Sequence, residues 1–217
     1  MIRTAALWLC LCVPAMATTD VYPALYDVIG VAEDDVLNIR SGPGTEFEII
    51  GTIEPNAEGI EVIRPHDDFA WAQVNTGEVA GWVSLDYVVP QPGQWTGTLP
   101  EFRQCFGTEP FWSLAYDPPK VRLQIQGEEE RNGFISGMYS SRSDRRRFAF
   151  TGAYLPTEAG HLDMTMSVRR EACGDGMSDR AYGIAVDMLL TLPDADGDLE
   201  NTGLFSGCCS LMPLSAE

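Results

Sequence analysis

Reactive side chains are concentrated in two short stretches of this 217-residue chain, CFGTEPFW (residues 105–112) and CGDGMSDR (residues 173–180). A cysteine acts as a nucleophile when an imidazole lies within hydrogen-bonding reach. The chain has two histidines, His66 in a predicted turn and His161 in a predicted loop before a strand, and neither accompanies a helix-borne cysteine. C-x-x-C and G-x-S-x-G motifs are absent from the sequence. The residue types therefore disfavour thiol, redox and serine chemistry.

Carboxylates offer a second route to catalysis, because two of them can serve as general acid and general base. Glu109 could pair with Asp175 or Asp179, but acids beside glycine and proline more commonly accept hydrogen bonds from backbone amides in turns. The acidic stretch DADGDLE (residues 194–200) has the composition of a calcium loop, although its spacing departs from that of an EF-hand. We therefore expect turns and a solvated loop here, with no catalytic residue, no metal ion and no cofactor.

The first 17 residues indicate an export signal. Arg3 is followed by the apolar run AALWLCLCVP and then by Ala15-Met16-Ala17, a small-x-small cleavage pattern. The apolar run is shorter than the ~20 residues that a permanent membrane span needs. We predict cleavage after Ala17 and a periplasmic or extracellular protein that is not inserted in the membrane.

Four cysteines remain after that cleavage, and an even number in an oxidising compartment predicts two disulfides. They are Cys105, Cys173, Cys208 and Cys209. A bond between the neighbours Cys208 and Cys209 would depart from usual disulfide geometry. If these two lie on a strand, their side chains point to opposite faces, so each can meet a different partner. Two connectivities remain, and of these we predict Cys173–Cys208 and Cys105–Cys209.

The chain is strongly acidic, with 32 acids, 14 bases and a formal net charge of −18. The acidity is uneven, because residues 18–90 hold 14 acids but only two bases, Arg40 and Arg64. A field of this sign repels nucleic acid and anionic lipid and favours neutral or cationic partners. An acidic surface also keeps an exported protein soluble without any specific partner.

Alternation of apolar and polar residues along short runs predicts strands throughout the chain. The uncharged segment PQPGQWTGTLP (residues 90–100) has the composition of a linker. We predict an all-β protein with a small barrel at residues 24–90, a linker at 91–100 and a disulfide-stapled antiparallel β-barrel or sandwich of seven or eight strands at 101–217.

Four motifs in the first region occur together: LNIR followed by Gly42-Pro43, W-x-x-V at residues 71–74, GWV at 81–83 and YV at 87–88. In combination they resemble the bacterial SH3 domain family. The resemblance implies an SH3-like barrel in an exported protein, in a family whose members often bind cell-wall peptides or tether a neighbouring domain to the wall.

Aromatic and acidic residues of this region suggest a binding groove. Trp71 is expected in the core, because large side chains fill a small barrel, whereas Trp82 and Tyr87 flank a turn and are expected at the surface. We predict that these two line a groove together with Asn38, Asp67, Asp68 and Asp86. Aromatic walls and carboxylates suit a peptide that carries a free amine, such as the diamino-acid side chain of a wall stem peptide.

The two cysteine-led stretches and the late pair Gly207-Cys208 resemble an uncharacterised family of exported bacterial proteins and lipoproteins with C-x-G-x-E-P-F-W and C-x-D-x-M-S motifs. The resemblance implies compartment and architecture but no activity, and Cys209 departs from the pattern. For CGDGMSDR we favour a turn anchored by Cys173, in which Asp175 and Asp179 accept amide hydrogen bonds and Arg180 is a candidate ion-pair partner of Glu109. Residues considered for a binding site in this region are Glu109, Trp112, Asp175, Ser178, Asp179 and Arg180.

The sequence thus predicts a non-enzymatic envelope protein whose SH3-like domain binds cell-wall peptide or peptidoglycan and tethers a ligand-binding or structural β domain. The alternative is an acidic periplasmic inhibitor or scavenger of a cationic protein such as lysozyme, since opposite charge speeds encounter. A hydrolase that depends on Glu109 or Asp175 is a third interpretation.

Overall fold

The structure is a computed structural model that describes residues 21–157, 160–192 and 201–212. The predicted export signal (residues 1–17) and the acidic stretch at residues 194–200 lie outside the described residues. Within the described residues, regular structure is antiparallel strand apart from one 3-10 turn at Leu85–Tyr87. No helix in this part of the chain is long and apolar enough to cross a membrane.

The N-terminal part forms two small antiparallel sheets around one core, and we call this unit the N-terminal barrel. One sheet has the order β4-β1-β8 and the other has the order β3-β2-β7-β6-β5. The strands are β1 (Ala24–Val28), β2 (Leu37–Arg40), β3 (Ile49–Ile53), β4 (Ile60–Val62), β5 (Arg64–Pro65), β6 (Trp71–Thr76), β7 (Val79–Ser84) and β8 (Val88–Pro90).

Alternation along these strands decides which side chains fill the barrel. On β6, Ala72 and Val74 are buried, so Trp71 falls on the outer face and is half-buried. The expectation that Trp71 fills the core is therefore wrong, because the inward positions of its strand belong to the smaller residues. Trp82 lies on the outer face of β7, whereas its neighbour Val83 is fully buried.

The C-terminal part forms one nine-stranded sheet, which we call the C-terminal sheet. Its order is β12-β11-β10-β9-β17-β16-β15-β14-β13. The strands are β9 (Gln104–Thr108), β10 (Phe111–Asp117), β11 (Lys120–Ile125), β12 (Arg131–Phe134), β13 (Gly137–Ser140), β14 (Arg147–Thr157), β15 (Gly160–Cys173), β16 (Tyr182–Leu192) and β17 (Asn201–Ser210).

The connection between the two edge strands forces this sheet to curl. Strands β12 and β13 lie at opposite edges, yet only Ile135 and Ser136 separate them in sequence. A link of that length reaches ~10 Å at most, so the edges come together and the sheet takes a barrel-like form. The predicted all-β, barrel-type architecture is confirmed, although the sheet has nine strands rather than the expected seven or eight.

Both predicted disulfides are present and connect elements of the C-terminal sheet. Cys105 of β9 bonds to Cys209 of β17, its direct register partner, and Cys173 at the end of β15 bonds to Cys208. The consecutive cysteines 208 and 209 point to opposite faces of β17, as the period of a strand requires. Cys105 and Cys209 belong to the buried core, where they pack with residues such as Leu114.

The segment between the two units is fastened to both of them. The side chain of Gln94 pairs with both backbone groups of Leu25 on β1, accepting from its nitrogen at 2.7 Å and donating to its oxygen at 2.8 Å. Arg170 of β15 donates to the carbonyl oxygens of Pro23 at 2.7 Å and Thr98 at 3.3 Å. Burial lowers the pKa of Arg170 to about 10, so its guanidinium is charged at neutral pH and bridges the two units.

A buried carboxylate forms another junction. Glu61 of β4 accepts hydrogen bonds from the hydroxyl of Ser210 and, at 3.1 Å, from the nitrogen of Leu211 at the end of the C-terminal sheet. Its second oxygen, Oε1, is buried without a partner. Desolvation by burial raises the pKa of Glu61 above its ordinary 4.5, although these hydrogen bonds oppose the shift.

We expect Glu61 to make unfolding stability fall with rising pH. Because its pKa is higher in the folded state, the native protein keeps the proton over a range in which the unfolded chain has lost it. The contribution of Glu61 to the free energy of unfolding is therefore fully present below pH 4.5 and declines as pH rises through the raised pKa. Glu61→Gln should remove this decline, so the unfolding free energy of the wild type minus that of the variant should fall with pH. Urea unfolding of both proteins between pH 4 and pH 8 measures this, and a constant difference would contradict it.

Candidate functional site

The stretch CGDGMSDR forms a stapled turn between β15 and β16. Cys173 anchors one end through its disulfide to Cys208. Asp175 accepts hydrogen bonds from the nitrogens of Met177 at 3.0 Å and Ser178 at 2.9 Å, and from the Ser178 hydroxyl at 2.7 Å. Burial opposes ionisation of Asp175, but these bonds outweigh it and lower the pKa of the carboxyl. The amide-capping role predicted for Asp175 is present in the structure.

The far end of this turn docks on the hairpin between β6 and β7 of the N-terminal barrel. The Asp179 nitrogen donates to the backbone carbonyl oxygen of Glu78 at 3.0 Å, and the Asp179 carbonyl oxygen accepts from the Ala80 nitrogen at 2.9 Å. Arg180 pairs with the Glu78 carboxylate at 3.0 Å and donates to the Gly77 carbonyl at 2.6 Å. Two expectations are corrected. Asp179 acts through its backbone rather than by capping amides, and Arg180 pairs with Glu78, a residue over 100 positions away, rather than with Glu109.

The other motif, CFGTEPFW, is built around a buried tryptophan. Trp112 is 4% exposed and donates through Nε1 to the Ser206 carbonyl at 3.3 Å. Its ring lies against Gly107 and Gly207, where no side chain intervenes. Glu109 is exposed in the turn between β9 and β10.

A cavity of about 450 Å³ lies between the stapled turn and strands β9 to β11. Of the six residues considered for a site here, four line it: Trp112, Asp175, Ser178 and Arg180. Glu109 and Asp179 do not line it. Glu109 and Asp175 therefore do not share this cavity, in which they could have acted as general acid and general base. Further walls come from Glu78 of the N-terminal barrel and from the apolar side chains Phe106, Phe111, Met177 and Tyr182. The cavity therefore combines residues from both units.

A second groove, of about 650 Å³, crosses the outer face of the N-terminal barrel. It runs between the segment that joins β1 to β2 and the 3-10 turn, and three of the residues predicted for this groove line it: Asn38, Asp86 and Tyr87. Trp71 also lines it, as a consequence of its outward position. Tyr87 is 44% exposed, so its ring is available to a ligand.

The remaining predicted groove residues lie elsewhere on the barrel. The guanidinium of Arg64 is 5.2 Å from the centroid of the Trp82 ring, and His66 packs edge-on against the same ring. Asp68 accepts from the Ala70 nitrogen and pairs with His66 at 3.0 Å, which lowers the pKa of Asp68. Asp67 occupies the same turn between β5 and β6. Trp82, Asp67 and Asp68 do not line the groove.

Electrostatics in the groove favour a cation. The carboxylates of Asp35 and Asp86 line it. Its one base, Arg40, donates to the carbonyl oxygens of Thr45 at 2.9 Å and Phe47 at 2.8 Å, so the guanidinium is held in the turn between β2 and β3. Carboxylates beside aromatic faces attract an ammonium group.

Comparison with known proteins agrees with this part of the structure. A family model described as "Bacterial SH3 domain" matches residues 35–89. These residues form a bacterial SH3 domain. The SH3 domain is 34% identical over 55 residues to the "Putative N-acetylmuramoyl-L-alanine amidase YrvJ" of Bacillus subtilis (strain 168). That match covers 25% of this chain and 10% of the amidase, so the chain spans about a tenth of the length of the curated relative it matches. No solved structure matches the chain.

The SH3 domain and the two disulfides together indicate an extracytoplasmic protein. Among the described residues, no group of three or more histidine, cysteine, aspartate or glutamate side chains is placed to hold a metal ion. The resemblance of the two cysteine-led motifs to an uncharacterised exported family stays a prediction.

Proposed function

We propose that the SH3 domain binds a cell-wall peptide in the groove lined by Asn38, Trp71, Asp86 and Tyr87, and tethers the C-terminal sheet to the wall. The observation that carries the proposal is the meeting of exposed aromatic faces and carboxylates in one groove of a bacterial SH3 domain. The proposed ligand is a peptide with a free amine. Its ammonium group pairs with Asp86, and the aliphatic part of the side chain that carries the amine packs on Tyr87.

The proposal describes a protein without catalytic activity of its own. Its division into an export signal (1–17), an SH3 domain (24–90), a linker (91–100) and a β domain (101–217) belongs to the same proposal. Gln94 ties the linker to β1, and the hydrogen bonds of Arg170 and Asp179 join the second domain to the N-terminal part, so the two domains are held in a fixed relation. Wall binding by the groove would therefore fix the position of the C-terminal sheet as well.

Calorimetric titration with a stem peptide that carries a free diamino-acid side chain tests the groove. We expect Asp86→Asn to weaken binding at least about tenfold, because a hydrogen bond to a charged group contributes roughly 1.5–3 kcal/mol. Acetylation of the ligand amine should have a similar effect, and raised salt should weaken binding by the wild type. Asp67→Asn removes the same charge outside the groove and should leave affinity unchanged.

Equal losses in Asp86→Asn and Asp67→Asn would show that net charge, rather than the groove, attracts the ligand. If the protein instead bound lysozyme at low salt, lost that binding at modest salt and ignored peptidoglycan, the acidic inhibitor would be the better description. Release of soluble fragments from wall material would indicate a hydrolase and contradict the proposal.

A further inference from the structure

The outer face of the C-terminal sheet carries a trough that the SH3 groove does not explain. Its floor is the outward side of β10, where the small side chains of Ser113 and Ala115 stand at alternate positions. Longer side chains flank each of them across the strand pairs. Phe106 and Gln124 are the register partners of Ser113, and Gln104 and Arg122 are the register partners of Ala115. Small side chains between longer neighbouring side chains leave a channel that runs along β10.

Two cavities join in this channel. The apolar cavity of about 450 Å³ beside the stapled turn and a polar cavity of about 890 Å³ share the lining residues Gln104, Ser113 and Gln124. The trough therefore extends from Phe111 to Asp117 along the whole of β10. Six residue steps of about 3.3 Å give it a length of roughly 20 Å, which is that of an extended hexapeptide.

The end of the trough near the stapled turn is apolar and well supported. Phe106 packs edge-on against Tyr182 with 4.9 Å between the ring centroids, and the Tyr182 hydroxyl donates to Asp175 at 3.4 Å. Met177, at 68%, and Phe111, at 43%, are exposed there. This end offers an aromatic and thioether surface to one apolar side chain, and the disulfide at Cys173 holds the turn that completes it.

The opposite end is basic, in a chain whose net charge is −18. Arg103, Lys120 and Arg122 line it against the acids Asp117 and Glu130. Arg103 reaches Asp117 only at 3.9 Å, between exposed side chains, whereas Lys120 and Arg122 form no ion pair with any residue that the structure describes. These cations are available to an anionic group.

Polar atoms between the two ends favour a peptide over an acyl chain. The Ser113 hydroxyl forms no hydrogen bond within the described part of the chain. Gln124 donates from Nε2 to the carbonyl oxygens of Ile125 at 3.0 Å and Glu128 at 2.7 Å, which leaves its Oε1 as an acceptor. A hydrocarbon chain over this floor would bury both groups unpaired, whereas peptide N–H and C=O groups can satisfy them.

We propose that this trough binds a short extended peptide that places an apolar side chain against Phe106, Phe111 and Met177 and a carboxylate against Lys120 and Arg122. The site is separate from the SH3 groove and goes beyond the function proposed above. A protein bound to the wall through its SH3 domain would thereby present a second peptide site. This site selects a peptide with a carboxylate, whereas the SH3 groove selects a peptide with a free amine.

Two probe peptides with the same residues in reversed order, acetyl-LSASEE-amide and acetyl-EESASL-amide, test the proposal. Each is titrated into the full protein, and binding is followed by the amide chemical shifts of the protein. We expect one of them to bind and to shift Ser113, Arg122 and Gln124. Replacing both glutamates of that probe by glutamine, or Arg122→Gln in the protein, should weaken binding roughly tenfold, as expected for a charge-assisted hydrogen bond.

Matched variants separate the trough from general effects. Arg142→Gln removes an exposed base outside the trough and should leave binding unchanged. Ala115→Trp should abolish binding by filling the floor, and far-UV circular dichroism checks that this variant folds. Asp86→Asn in the SH3 groove should have no effect, so a failure of either site can be recognised independently.

Three results would overturn the proposal. The first is the absence of trough shifts with both peptides at millimolar concentration. The second is equal binding of the glutamate and glutamine probes. The third is binding of sodium dodecanoate in the trough while neither peptide binds, which would assign the site to an acyl carboxylate instead.

Discussion

Removing the disulfide between β9 and β17 by the double substitution C105A/C209A is expected to lower the free energy of unfolding by about 5 kcal/mol, since loop-closure entropy grows with the residues enclosed. The two cysteines are 104 residues apart, so their bond closes nearly all of the C-terminal sheet into one loop. Both side chains are fully buried in the core. Urea unfolding without reductant, followed by far-UV circular dichroism, measures the loss.

The second disulfide is the matched control. Cys173 and Cys208 are 35 residues apart, so C173A/C208A should cost about 4 kcal/mol on the same entropic argument. This variant should also loosen the stapled turn, and hydrogen exchange of the Asp179 and Ala80 amides, which bond across the two units, should accelerate. A larger loss for C173A/C208A than for C105A/C209A would contradict the entropic explanation.

Strand periodicity reduced the possible disulfide connectivities from three to two. Cys208 and Cys209 are adjacent, and alternation along a strand sends adjacent side chains to opposite faces. That fact rules out their mutual bond and gives each a different partner, although alternation alone does not say which partner each takes. The turn role of Asp175 was predictable for a similar reason, because an acid among glycines accepts amide hydrogen bonds locally.

Contacts between the two units were not predictable from the sequence. Arg180 pairs with Glu78 and Asn75 exchanges hydrogen bonds with Ala181, in each case across more than 100 residues. Such pairs leave no periodic pattern, because each joins a single turn to a single hairpin.

The prediction that Trp71 lies in the core was wrong for another reason. Its size favours the core, but the alternation of side chains along the strand gives the inward positions to Ala72 and Val74. Parity outweighs residue size whenever the register is fixed by neighbouring positions.

Two motif glycines, Gly107 of CFGTEPFW and Gly207 of the late Gly207-Cys208 pair, acquire a structural explanation from the same sheet. Gly107 on β9 and Gly207 on β17 lie beneath the Trp112 ring, where the neighbouring strands and the indole approach closely. A Cβ at Gly207 would overlap the Phe106 carbonyl and lie 3.0 Å from the Trp112 ring. Glycine within a strand commonly marks such a close approach. Cys105, Gly107 and Trp112 of this motif thus build a packing site.

Gly207→Ala is therefore expected to lower the unfolding free energy by about 3 kcal/mol or more, because overpacking against backbone cannot be relieved by a rotamer change. Gly174→Ala is the control, since nothing lies within 4 Å of a Cβ built there. That change should stay within about 0.5 kcal/mol of the wild type. Urea unfolding of both variants, followed by far-UV circular dichroism, compares them. Equal stabilities would mean that β17 can move away from β9, and the close approach at Trp112 would then not be what requires glycine at this position.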